Sequence, residues 1–125
     1  MEYNIYIKGY IPKSPNSTGR KHWGRTMDER LFWEAAIGTL AYQNDIPKAE
    51  SKRDIIIHIM KPGKIKLRDE DNKNASVKHC LDAMTRIKLI LDDDQESINL
   101  EVEETNGHKT YGTSITIRDA SDTKE

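Results

Sequence analysis

At 125 residues the chain is long enough for one hydrophobic core and too short for two. Hydrophobic residues make up 35% and charged residues 33%, with a formal net charge of -1, which excludes the composition of a disordered chain. No apolar run is long enough to span a membrane, and Met1-Glu2-Tyr3-Asn4 lacks the basic and apolar stretches of a secretion signal. The lone Cys80 excludes an internal disulfide and points to a reducing cytoplasm.

Along the chain, residues 3–8 alternate, with Tyr3, Ile5 and Ile7 on one face, and read as a strand. Residues 11–26 are rich in Pro, Ser, Asn and Gly and carry Lys13, Arg20, Lys21 and Arg25. A loop of that length inside a compact domain is usually functional, and its His22-Trp23 pair suits either stacking on unpaired bases or docking of Trp23 onto its own domain. A helix is expected over 28–43, with Asp28 and Glu29 at its positive end and Phe32, Ala35, Ala36, Leu40 and Tyr42 on its buried side. Residues 54–60 (DIIIHIM) are β-branched and nearly continuously apolar, the pattern of a central, buried strand. Pro62-Gly63 turns the chain, and Lys64, Lys66 and Arg68 alternate with Ile65 and Leu67. A second helix spans 76–88, with Val77, Leu81 and Met84 at helical spacing. Two strands follow: Ile98, Leu100 and Val102 on one, then Tyr111, Thr113, Ile115 and Ile117 on the other. Asn106-Gly107 predicts a hairpin turn between them. The order βαβαββ gives an α+β domain with a mixed sheet and two main helices over 1–118, and 119–125 reads as a frayed tail.

The net charge conceals an asymmetry. Residues 1–68 carry 13 Lys and Arg against 7 Asp and Glu, and residues 69–125 carry 7 against 14. A basic half suits contact with a polyanion; an acidic half would repel one unless its carboxylates hold cations. The acidic residues concentrate in RDEDNKNASVKHCLDAMTRIKLILDDDQ, residues 68–95. In an extended segment Asp69 and Asp71 fall on the same face, where they repel each other unless a cation lies between. Their oxygens suit Mg²⁺ or Mn²⁺ better than zinc. Asp92-Asp93-Asp94 is a second source of carboxylates. A helix from Ser76 to Arg86 carries the chain roughly 15 Å away at 1.5 Å per residue. An extended Leu89–Asp93 brings it back about as far. The spacing therefore permits Asp69, Asp71 and Asp93 to share one site. Lys78, in the first turns of the helix, gains nothing from the dipole but could stabilise charge on a phosphate.

These residues resemble the RusA-like Holliday junction resolvases, whose pattern is Asp-x-Asp-Asn, a helix with a lysine and an Asp-Ala-Leu-like step, then Asp-Asp-x-Gln. Here stand Asp69-Glu70-Asp71-Asn72, Lys78, Asp82-Ala83-Met84 and Asp92-Asp93-Asp94-Gln95. The stretch from Asn72 to Lys78 is longer than in the best-known members. The opening strand, Pro15-Asn16 and the basic stretch with His22-Trp23 are similar to the family's beginning.

The resemblance implies a RusA-like fold and a Mg²⁺-dependent endonuclease, with Mn²⁺ able to substitute, that resolves four-way DNA junctions by paired nicks. It implies a homodimer, whose two equivalent sites match the two strands to be cut. Carried over, Asp69, Asp71 and Asp93 would be essential metal ligands, Lys78 the catalytic cation and Asp92 a supporting carboxylate. The expected reaction is attack of metal-activated water on a phosphodiester, with Lys13, Arg20, Lys21, Arg25, Lys64, Lys66 and Arg68 gripping flanking phosphates. No small-molecule cofactor and no membrane contact is implied. A calcium loop beginning at Asp69 breaks down, because Asn74 stands where glycine should turn the chain and Cys80 where the bidentate Glu should be. The alternative is a non-catalytic junction- or single-strand-binding module whose acidic cluster is structural. Forks or flaps are further substrates for the same chemistry. His58, His79 and Cys80 read as structural residues, and Trp33 as core or dimer interface.

Overall fold

The computed structural model describes residues 2–12, 23–63 and 76–120, with only the backbone of 23–28. The elements are β1 (Glu2–Lys8), α1 (Trp23–Gln43), β2 (Arg53–Pro62), α2 (Lys78–Arg86), β3 (Ile98–His108) and β4 (Gly112–Asp119). They form a single α+β domain: a mixed four-stranded sheet and two helices. Lys13, Arg20, Lys21, Lys64, Lys66, Arg68, Asp69 and Asp71 lie outside the described residues. No helix among the described residues is long and apolar enough to cross a membrane.

The sheet order is β1-β4-β2-β3, with β2 parallel to β3 and the other two pairs antiparallel. As the run Ile55-Ile56-Ile57 implied, β2 is an interior strand. Register aligns Ile5, Ile115, Ile57 and Val102 in one row across all four strands, and every member of that row is buried. Along β2, Ile55, Ile57 and Ile59 are fully enclosed while Ile56, His58 and Met60 are half-buried. The core therefore lies on one face of the sheet, with Trp33, Ile37 and Ala41 of α1 and Cys80, Leu81, Ala83 and Met84 of α2 belonging to it.

The expected hairpin does not form. β3 and β4 lie on opposite sides of β2 and share no hydrogen bonds. Gly107, at φ +83°, sits near the end of β3, where its N–H donates to the carbonyl of Gly63 at 2.7 Å. Turn chemistry is a local signal, whereas a strand as apolar as β2 buries most by taking a neighbour on each side.

The structure alters three further expectations. α1 begins at Trp23, so Arg25 belongs to a helix and not to the loop expected over 11–26. Gly24, worth about 1 kcal/mol against the helix, does not stop it, and no proline intervenes. The buried stripe of α1 is Trp33, Ile37 and Ala41 at i, i+4, i+8; Phe32, Ala36 and Leu40 flank it, Ala35 is exposed, and Tyr42 is 85% exposed. Asp119, expected in a frayed tail, is the last residue of β4 and accepts a 3.0 Å hydrogen bond from Nε of buried Arg53. Ala120 continues the order, its N–H donating to the Lys52 carbonyl.

Both helices end in the same way. After α2, Lys88 takes φ +70°, Leu89 N–H donates to the Met84 carbonyl at 2.8 Å and Lys88 N–H to that of Thr85 at 3.2 Å. After α1, Asp45 takes φ +54°, with Ile46 N–H to the Ala41 carbonyl and Asp45 N–H to that of Tyr42. These are Schellman closures made without glycine. Each turns an apolar residue, Leu89 or Ile46, back into the core.

Candidate active site

α2 and the connection after it build a cleft. Lys78, Asp82 and Arg86 recur at i, i+4, i+8 and so share one stripe of the helix. The chain leaves α2 through its Schellman turn and buries Leu89 and Ile90 in the core. Arg53 holds the Leu89 carbonyl with a 2.8 Å hydrogen bond from Nη1. The following residues bend back toward the start of the helix, through bends and not through the extended run that spacing suggested. Asp94 fixes the far end: its carbonyl and its Oδ1 both accept from Ser97 N–H, at 3.1 and 2.9 Å, and its carbonyl accepts from Ile98 N–H at 3.0 Å. Asp94 is thus tied to the turn that opens β3. Between these anchors, Asp93 N–H donates to Oδ1 of Asp92 at 2.8 Å.

The result brings Asp93 beside Lys78, fifteen positions earlier. Lys78 Nζ lies 3.4 Å from Asp93 Oδ2 and 3.5 Å from Asp82 Oδ1. Asp82 and Asp93 hold the Lys78 ammonium above the ordinary lysine range, so it is charged at neutral pH. Its chemical capacity here is that of a fixed positive charge and not of a general base. The cleft has a volume of about 280 Å³, and Arg30 of α1, Asp92 and Arg86 complete its charged lining.

Of the residues expected at the site, the structure therefore brings together Asp93, Asp92 and Lys78. Asp82, Arg30 and Arg86 were not expected there. The four-residue spacing from Lys78 could have revealed Asp82 and Arg86. Arg30 arrives from another helix, and no local pattern announces it. Among the described residues no group of three or more His, Cys, Asp or Glu side chains is arranged to hold a metal. Asp69 and Asp71 lie outside that set. The donors that are present, the carboxylate oxygens of Asp82, Asp92 and Asp93, are of the hard type that Mg²⁺ takes.

The other residues singled out from the sequence fall elsewhere. His58 pairs through Nε2 with Thr105 Oγ1 at 2.8 Å on the outer face of the sheet, and the same hydroxyl lies 2.7 Å from Nε2 of His108. Nδ1 of His79 is buried without a hydrogen-bond partner among the described residues. Trp33 is core, its Nε1 donating to Glu29 Oε1 at 3.1 Å. Cys80 is fully enclosed, and burial, with a contribution from the Glu29 carboxylate, pushes its thiol well above the ordinary range.

The chain matches no model of a known protein family, and no curated protein matches it in sequence.

Proposed function

We propose that the chain is a Mg²⁺-dependent DNA endonuclease of the RusA-like type, working as a homodimer in the cytoplasm and resolving four-way junctions by paired nicks. The observation that carries this reading is the return of Asp93 to Lys78, within one cleft that also holds Asp82 and Asp92. It is the convergence that the resemblance requires of its last acidic motif and its helical lysine. The segment with Asp69 and Asp71 leads in sequence directly into α2, the helix that carries Lys78.

In this reading Asp69, Asp71 and Asp93, supported by Asp92, would hold the ion. When bound, Mg²⁺ supplies the Lewis acidity that activates water and offsets charge on the leaving oxygen. The chain's own residues position and compensate. Lys78, kept protonated by its two carboxylates, stabilises negative charge developing on the phosphate. Arg53 and Asp94 fix the two ends of the connection that presents Asp92 and Asp93, so these carboxylates need little reorganisation when substrate arrives.

Nicking of a synthetic four-way junction, with Mg²⁺ and with EDTA, tests the proposal. Parent protein should nick only with Mg²⁺, and Asp93→Asn or Asp71→Asn should lose about 10²-fold or more while still binding the junction. Undiminished cleavage by either variant refutes it.

One observation favours the non-catalytic alternative: Lys78 is already paired with two carboxylates, as in a purely structural ion-pair network. A binding module predicts a junction complex and no Mg²⁺-dependent nick at any protein concentration.

A further inference from the structure

We propose that Arg30 of α1 and Arg86 of α2 form a phosphodiester-binding subsite along the same cleft as Asp93. The inference takes the cleft as the place where a nucleic-acid strand lies, as the proposed function has it. It adds two residues that neither the motif nor the basic loops contain.

Lys78, Asp82 and Asp93 meet at the start of the helix, and Arg86 stands two turns on, about 12 Å from Lys78 at 1.5 Å per residue. That separation is more than one nucleotide step along a strand. A strand with one phosphate at Lys78 would therefore carry a flanking phosphate near Arg86.

Three cations and three carboxylates line the cleft. Two of the carboxylates are matched by Lys78, and Asp92 accepts the amide of its neighbour. Arg86 is paired through Nε with Glu34 of α1, 3.3 Å away, and its side chain also lines the cleft. The Arg30 side chain, half-buried and one turn before Glu34 on α1, has no ion-pair or hydrogen-bond partner among the described residues. A partly desolvated guanidinium gains from a matching anion, and its planar fork suits phosphate.

The bland account is that Arg86 merely ties α1 to α2 and complements the C-terminal end of its helix dipole, leaving Arg30 as a solvated rim residue. The two accounts part at Glu34. If Arg86 serves only as a tie, Glu34→Gln should reproduce the effect of Arg86→Ala. If Arg86 binds phosphate, Glu34→Gln should leave binding unchanged or tighten it.

The experiment is fluorescence anisotropy of a labelled four-way junction with full-length protein in EDTA, between 50 and 200 mM salt (about the range over which phosphate contacts declare themselves). Arg30→Ala and Arg86→Ala should each weaken binding about tenfold and lower the slope of log affinity against log salt by about one, while exposed Lys48→Ala changes neither. Arg30→Gln and Arg86→Gln give the same readout should an alanine variant fold poorly. Affinity within twofold of parent with an unchanged slope overturns the subsite, as does Glu34→Gln mimicking Arg86→Ala, or a parent that does not bind the junction. A parent that binds with these arginines but never nicks in Mg²⁺ sinks the nuclease reading and leaves the subsite standing.

Discussion

Arg53→Met is the substitution that most directly tests how the fold presents the cleft. Arg53 is 2% exposed at the start of β2; Nε donates to Asp119 at 3.0 Å and Nη1 to the carbonyl of buried Leu89 at 2.8 Å. Methionine fills much of the same volume, so the loss is mainly polar. The Asp119 carboxylate is 37% exposed and regains water, which limits that half of the loss to about 1 kcal/mol or less. The Leu89 carbonyl loses a charge-assisted hydrogen bond worth about 1.5–3 kcal/mol. The sum is about 1.5–4 kcal/mol, or a fall in Tm on the order of 10 °C for a domain of this size. Urea unfolding at pH 7 should show the midpoint falling with an unchanged m-value, and Asp119→Asn should cost less than half as much. A loss below about 1 kcal/mol for Arg53→Met, or equal losses for the two variants, refutes the assignment of the larger share to Leu89. Because Leu89 opens the connection to Asp93, the proposed nuclease reading also expects the folded variant to nick more slowly than parent.

Three other outcomes follow from the same geometry. Lys88→Gly should raise stability by about 0.5–1 kcal/mol in chemical denaturation, since glycine relieves the φ of +70° at a modest cost in chain entropy. Gly112→Ala should cost about 1–3 kcal/mol, because the new Cβ would lie 2.5 Å from the carbonyl oxygen of Ile7 in the β1–β4 pair; thermal unfolding checks it. Cys80 should resist thiol reagents in the native protein and react on unfolding. Its native pKa is raised, so above pH about 9 the unfolded chain releases a proton that the folded chain keeps. Stability should then fall by about 1.4 kcal/mol per pH unit, a component that Cys80→Ala removes.

The elements were legible in the sequence wherever burial wrote a local period. Alternation gave β1, the spacing of Val77, Leu81 and Met84 gave α2, and the β-branched run at 54–60 gave an interior strand. The return of Asp93 to Lys78 followed from counting rise per residue, although the route back is bent and not extended. What the sequence hid was set by tertiary choice. The Asn106-Gly107 turn signal was overridden by the burial that β2 gains between two neighbours. The facing of α1 was decided by Trp33, whose bulk, with Ile37 and Ala41, outweighs Tyr42. Arg30 reaches the cleft only because α1 packs beside α2, a fact absent from any window of residues around it.

The strand pairings join distant parts of the chain. Glu2 pairs with Arg118, Arg53 with Asp119, and Arg53 with Ile98 on its other side. With no hairpin among the described strands to form first, that sheet cannot zip outward from a tight turn; each of these pairings must close a long loop before any ladder energy is gained. Such high contact order places folding in the millisecond-to-second range, far slower than a helical bundle of equal length. The helices should order first, and until β4 arrives β2 stands with an open edge, the interval in which a nascent chain is most exposed to intermolecular pairing.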